Sequence, residues 1–152
     1  MVSFIRKIQK DDVGVLSLLS QLSDTIDDNS ELFQNYVEHI PKDQHTLVVE
    51  VDRTIVGVGT MFTEKKLIHS FGKVGHIEDI VIDRCVRGKG YGKLLIQNLI
   101  QIAKSIGCYK CILNCSTENI PFYESCGFTL SSSQMSIRFD NEKKLFLMYF
   151  VL

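Results

Sequence analysis

The chain has 152 residues, 45% of them hydrophobic, which suits one domain spanning residues 1–152 with a filled core. Its formal net charge of −1 gives no overall field favouring nucleic acid or a membrane surface. Five cysteines, an odd number, follow an opening Met1-Val2-Ser3-Phe4 that runs into charged residues rather than a secretory leader, so reduced thiols in a cytoplasmic protein are expected.

Phe4-Ile5-Arg6-Lys7-Ile8 predicts an opening strand. Asp11-Asp12 predicts the N-cap region of a helix whose stripe is Val13, Leu16, Leu19 and Leu22. Ser23 to Ser30 is polar and loop-like. Glu31 to Ile40 resumes a helical pattern, which Pro41 ends. Residues 46–51 and 55–63 predict an antiparallel hairpin turning at Asp52-Arg53, with Gly57 and Gly59 marking a bulge or a close backbone approach. A basic connection over residues 64–69 and a turn at Phe71-Gly72-Lys73 lead into a central strand, from about Gly75 to Ile82. Leu94, Leu95, Leu99, Ile102 and Ala103 mark a helix closed by Gly107. A strand over 109–115, a short helical turn over 118–125 with Pro121 near its start, and a late strand over 133–139 complete the order. The order β-α-α-β-β-β-α-β-α-β fits an α/β fold: a mixed, mostly antiparallel central sheet with helices on both faces.

The chemistry concentrates after the central strand. Arg87-Gly88-Lys89-Gly90-Tyr91-Gly92 joins that strand to an apolar helix. Glycines there let backbone N–H groups approach a phosphate, and a helix N-terminus adds partial positive charge. The spacing is not that of a P-loop, since Leu94 follows Gly92-Lys93 where Ser or Thr would hold magnesium. Nor is it G-x-G-x-x-G, since the glycines alternate. Cys108, Cys111 and Cys115 fall in or beside one short strand with no second pair elsewhere, so no metal site is expected. The longest apolar run, Leu145 to Leu152, falls well short of the roughly 20 residues of a membrane-spanning helix.

The R-G-x-G-x-G turn after a strand resembles the pyrophosphate-binding motif of the GNAT superfamily of N-acetyltransferases, which use acetyl-CoA. A second, separated motif agrees: Asn119-Ile120-Pro121-Phe122-Tyr123-Glu124-Ser125-Cys126-Gly127-Phe128 places Tyr, Gly and Phe where that superfamily does. Its Asn-to-Phe spacing is two residues shorter than the superfamily pattern. Narrower segments resemble the glucosamine 6-phosphate N-acetyltransferase family: Gly75-His76-Ile77-Glu78-Asp79-Ile80, Gly92-Lys93-Leu94-Leu95-Ile96, Gly107-Cys108-Tyr109-Lys110 and Met135-Ser136-Ile137-Arg138. The likeness runs from Ile5 to Phe139.

This resemblance implies the GNAT fold and acetyl transfer from acetyl-CoA to the amine of glucosamine 6-phosphate, on the route to UDP-N-acetylglucosamine. It implies a homodimer with the sugar-phosphate site at or near the subunit interface. Ile80, Val81 and Ile82 would run beside the pantetheine arm. Arg87, Gly88, Lys89, Gly90, Tyr91 and Gly92 would take the pyrophosphate, with Asn119 and Tyr123 completing the coenzyme site. Ser23, Lys66, Leu67, Ile68, His69, Asn114 and Arg138 match substrate positions. Asn114 departs from the acidic residue usual there. Tyr123 matches the tyrosine near the coenzyme sulfur, where a protonated phenol can donate to the leaving thiolate. Glu78 and Asp79 also match the substrate site; as strand neighbours their side chains are expected on opposite faces, and which of them does chemistry stays open. His76 reads as a hydrogen-bonded structural histidine, and Cys85 and Cys126 as packing.

The pattern stops at Phe139. Residues 140–152, an atypical apolar extension, would pack on the core, extend the sheet or join a dimer contact. Two other readings compete with the aminosugar-phosphate one. In the first, the same fold acetylates another small amine or a protein N-terminus; Lys66, His69 and Arg138 count against this, since they suit a phosphate and repel polyamines. In the second, the protein is a coenzyme-binding module without catalysis, which Tyr123 and the Glu78-Asp79 pair oppose.

Overall fold

The computed structural model describes residues 3–23, 30–137 and 139. Its elements are β1 (Ser3–Lys7), α1 (Gly14–Leu19), α2 (Ser30–Glu38), β2 (Gln44–Val51), β3 (Thr54–Lys65), β4 (Lys73–Ile82), α3 (Tyr91–Ser105), β5 (Cys108–Leu113) and α4 (Ile120–Ser125), with 3-10 turns at Arg84–Val86 and Thr117–Asn119. The strands form one sheet in the order β1-β2-β3-β4-β5. The first three pairings are antiparallel and β4–β5 is parallel. The expected mixed, mostly antiparallel sheet with helices on both faces is what forms.

Strand alternation divides the core in two. Leu47, Val49, Met61 and Ile77 point to one face and pack on Leu95, Ile96, Leu99 and Ala103 of α3. Val48, Val58 and Val81 point to the other and pack on Val15, Leu18 and Phe33 of α1 and α2. The α3 stripe is turned slightly from the expected one: Ile96 is buried, and Leu94 is exposed. Asp52 and Arg53 both take left-handed φ values, 47° and 67°, as a two-residue hairpin turn requires.

Two expectations are corrected. Asp12 does not cap α1: the N-cap is Val13, without a side-chain hydrogen bond. Asp12 is buried instead and accepts from Arg6 and from the Gln9 N–H. A buried carboxylate gains more from a guanidinium fork than from a single helix amide. The late strand is also absent, since described residues 128–137 form no strand. A strand needs a ladder partner, and this run lies open, with Leu130, Met135 and Ile137 at 73%, 96% and 77% exposure. Arg138 and residues 140–152 lie outside the described residues, as do residues 24–29.

Two irregularities in β4 shape the site. Val58 pairs with Val81 and Thr60 with Glu78, so Gly59 alone opposes both Asp79 and Ile80. This is a β-bulge, with Asp79 at φ 54°. A Cβ on Gly59 would press on the end of the Ile80 side chain and on Leu95, so a larger residue there makes Ile80 shift. Further on, the β4–β5 ladder ends at Ile77 and Leu113. Residues 78–82 continue without β5 beside them, and a cleft opens between the two strands.

Candidate active site

The cleft becomes a cavity of about 570 Å³ lined by Ile80, Val81 and Ile82 of β4, the loop Arg87–Lys93, Asn119, and Phe122 and Tyr123 of α4. All the residues expected to hold coenzyme line it except Lys89. Gln21, Leu22, Val86, Lys93 and Ser125 also line it, and none of them is among the residues expected to hold coenzyme. Gln21 and Leu22 belong to the turn after α1, and only tertiary packing brings them here.

The glycine loop is built from its backbone conformations. Gly88 and Gly90 have φ of 79° and 86°, a region that costs side-chain-bearing residues energy. Gly90 is the N-cap of α3, and the Leu94 N–H closes the first turn onto its carbonyl. The N-terminus of α3 thus opens on the cavity, with its amides and dipole available to an anion. The Arg87 Nε donates to the Ile82 carbonyl at 2.9 Å, which folds this cation back to the end of β4.

The bulge overturns the expectation that Glu78 and Asp79 face opposite ways. Glu78 pairs across the ladder with Thr60, and Asp79 lines a second cavity of about 350 Å³ together with Thr46, Val58 and Thr60, on the α1–α2 side. The two carboxylates share a face. Burial pushes the Glu78 carboxyl above the usual range and the neighbouring Asp79 adds to this, with His76 opposing. Burial likewise raises the Tyr123 phenol, helped by Cys115, Cys126 and Glu78, so it is protonated at neutral pH. Phe122 and Phe128 set the ring edge-on, with centroids 5.0 and 6.1 Å away. Asn114 follows the last β5 residue, Leu113, and is not among the residues lining the cavity.

The cationic candidates lie elsewhere. Lys66, Leu67, Ile68 and His69 form the β3–β4 hairpin tip, where Leu67 and Ile68 are 88% and 64% exposed. Lys66 Nζ pairs with Glu64, whose other oxygen lies 2.7 Å from His76 Nε2. His76 also stacks on Phe62, which fits its structural reading. His69 packs on Tyr109. This tip is at the start of β4 and the cavity at its end, about 20 Å apart at strand spacing. Within one chain the structure does not bring the two sets together. Ser23 is exposed beside Leu22. Of the cysteines, Cys126 packs as expected, whereas Cys85 is exposed.

Comparison with known proteins bears out the fold. The chain belongs to the acetyltransferase (GNAT) family, whose model matches residues 14–128. The glucosamine 6-phosphate N-acetyltransferase of Arabidopsis thaliana is 43% identical over 143 residues, 90% of this chain and 96% of the relative. That of Candida albicans is 40% identical over 126 residues, 82% of this chain and 83% of the relative. The crystal structure of the Arabidopsis protein superposes with a TM-score of 0.88 at 40% identity, covering 91% of this chain and 99% of that one. Within the GNAT acetyltransferases, this chain therefore falls in the glucosamine 6-phosphate N-acetyltransferase family.

Proposed function

We propose that this protein transfers the acetyl group of acetyl-CoA to the amine of glucosamine 6-phosphate, giving N-acetylglucosamine 6-phosphate and CoA. The observation that carries the reading is the end of the β4–β5 ladder at Ile77 and Leu113, which opens a cleft between the glycine loop and Tyr123. The splayed edge of Ile80–Ile82 suits an extended pantetheine arm, as a strand edge suits a peptide. The loop Arg87–Gly92 and the α3 N-terminus suit the pyrophosphate.

The amine attacks the thioester carbonyl, and the C–S bond breaks as the N–C bond forms. The amine proton goes to the Glu78 carboxylate, which burial makes a stronger base than an ordinary glutamate. The emerging thiolate meets the Tyr123 hydroxyl. A thiol titrates near ~8.5 and a phenol near ~10. Burial widens that gap, so full transfer from Tyr123 is uphill and its main contribution is a hydrogen bond to the sulfur.

The distance between hairpin tip and cleft supports a homodimer, in which Lys66–His69 of one protomer reach the other's cleft and meet the sugar phosphate. The test is thiol release from acetyl-CoA with glucosamine 6-phosphate against glucosamine. Release only with the phosphorylated sugar is expected; equal release with both would sink the phosphate-specific reading.

A further inference from the structure

The side chain of Gln21 uses both ends of its amide on the exit of β4. Its Nε2 donates to Asp83 Oδ2 at 3.2 Å. Its Oε1 accepts from the Arg84 N–H, also at 3.2 Å. Gln21 is held in its own turn by its N–H to the Leu18 carbonyl. Asp83 is a firm anchor: its N–H donates to the Val56 carbonyl at 2.8 Å, and its Oδ1 accepts from the Cys85 N–H at 2.7 Å. The clip thus joins residues 62 and 63 positions apart.

It also lies between two parts of one cavity. Gln21 and Leu22 form one wall of the 570 Å³ cleft, and the chain leaving Arg84 supplies Val86, Arg87 and Gly88 to another. The rest of the α1–β4 contact is apolar, through Val15, Leu18 and Val81. Apolar packing fixes how close two elements lie, but it sets their sliding register weakly, because it is not directional. A two-ended amide clip sets register.

We propose that Gln21 is a positioning residue for the coenzyme: it locks the end of α1 to the first residues after β4 and so fixes the width of the cleft at the phosphate-binding loop. This rests on the coenzyme reading of the cavity given above. Gln21 need not touch the reacting atoms. Its loss lets the two walls shift, which weakens coenzyme binding while leaving Glu78 and Tyr123 in place.

The test is steady-state kinetics of Gln21→Met, which keeps length and loses both hydrogen bonds, beside Gln21→Glu, which keeps the acceptor for the Arg84 N–H but sets a carboxylate against Asp83. Melting temperatures are measured alongside. For Gln21→Met the KM for acetyl-CoA should rise about five- to tenfold, with kcat and the KM for glucosamine 6-phosphate within about twofold. Gln21→Glu should raise the acetyl-CoA KM further. An unchanged acetyl-CoA KM in either variant overturns the proposal. So does a parallel loss in kcat, both KM values and melting temperature, which would mark a general structural role. Arg87→Ala separates the two readings. If it raises the acetyl-CoA KM while Gln21→Met does not, only the Gln21 inference falls. If it too leaves that KM unchanged, the coenzyme reading falls and this inference with it.

Discussion

A Cβ placed on Gly92 would stand 3.1 Å from Cζ of Phe122, so the first turn of α3 and the helix carrying Tyr123 meet through a glycine. Gly92→Ala therefore pushes Phe122, and with it the neighbouring Tyr123 ring, by a few tenths of an ångström. Gly90→Ala acts differently, since nothing lies within 4 Å of its Cβ but its φ is 86°. Left-handed backbone costs an alanine about 1–2 kcal/mol. Gly92→Ala should lower kcat with little loss of melting temperature, and Gly90→Ala should lower melting temperature and acetyl-CoA affinity together. Thermal melts beside initial rates distinguish them; identical profiles would contradict the steric assignment.

Tyr123→Phe removes the hydroxyl and keeps the ring between Phe122 and Phe128. A charge-assisted hydrogen bond to the departing sulfur is worth about 1.5–3 kcal/mol, or roughly 10- to 100-fold in rate. The loss should fall on kcat, with acetyl-CoA KM changing less than about threefold. Wild-type kcat in Tyr123→Phe would remove the phenol from the mechanism.

The pH profile tests the base. Burial first, and then the Asp79 charge, hold the Glu78 carboxyl above the ordinary glutamate range near ~4.3. The acid limb of kcat/KM should therefore lie above that range. Asp79→Asn removes a like charge and should move the limb down, while Glu78→Gln should abolish it and lower kcat about 100-fold or more. A limb that does not respond to either substitution assigns it to another group.

Stability at low pH should follow Asp12. Burial alone would raise its pKa, but the Arg6 fork and the Gln9 N–H outweigh burial and lower it. A carboxylate depressed in the folded state contributes stability that is present above its unfolded pKa, near ~3.9, and is lost as pH falls through the folded value. Asp12→Asn should cost about 2 kcal/mol at pH 7 and flatten the pH dependence below pH 4. Urea midpoints measured from pH 7 to pH 2 check both; equal slopes in the two proteins would move the acid sensitivity elsewhere.

Where local pattern and tertiary structure agree, the chain could be read directly. The stripe Leu95, Leu99 and Ala103 has helical spacing, and the alternating glycines at 88, 90 and 92 occupy a loop where two of them need left-handed φ. What escaped reading depends on partners far along the chain. Asp12 looks like a helix cap until Arg6 of β1 stands opposite it. Glu78 and Asp79 alternate on paper, but the bulge opposite Gly59 turns them to one face. Residues 133–137 have a strand's alternation, with Met135 and Ile137 two apart, and no neighbour to pair with among the described residues. Gln21 has no local mark at all, because its role is set by Asp83 and Arg84.

Lys66 and Tyr123 provide a test of whether two protomers share each site. The first sits at the hairpin tip and the second in the cleft, about 20 Å away along β4. If each site takes Lys66 from one protomer and Tyr123 from the other, a heterodimer of Lys66→Ala with Tyr123→Phe carries one site with both defects and one with neither. Random 1:1 assembly makes half the dimers hybrid, so the mixture should recover about a quarter of wild-type activity. If both residues served the same protomer's site, every site in the mixture would carry one defect and no recovery would appear. Lys66→Ala alone should raise the KM for glucosamine 6-phosphate about tenfold or more and spare that for acetyl-CoA, because the proposed partner of Lys66 is the sugar phosphate, whereas the coenzyme's pyrophosphate is assigned to the separate loop Arg87–Gly92. Co-refolding the two variants and assaying thiol release gives the answer in one experiment, with each variant refolded alone as its control.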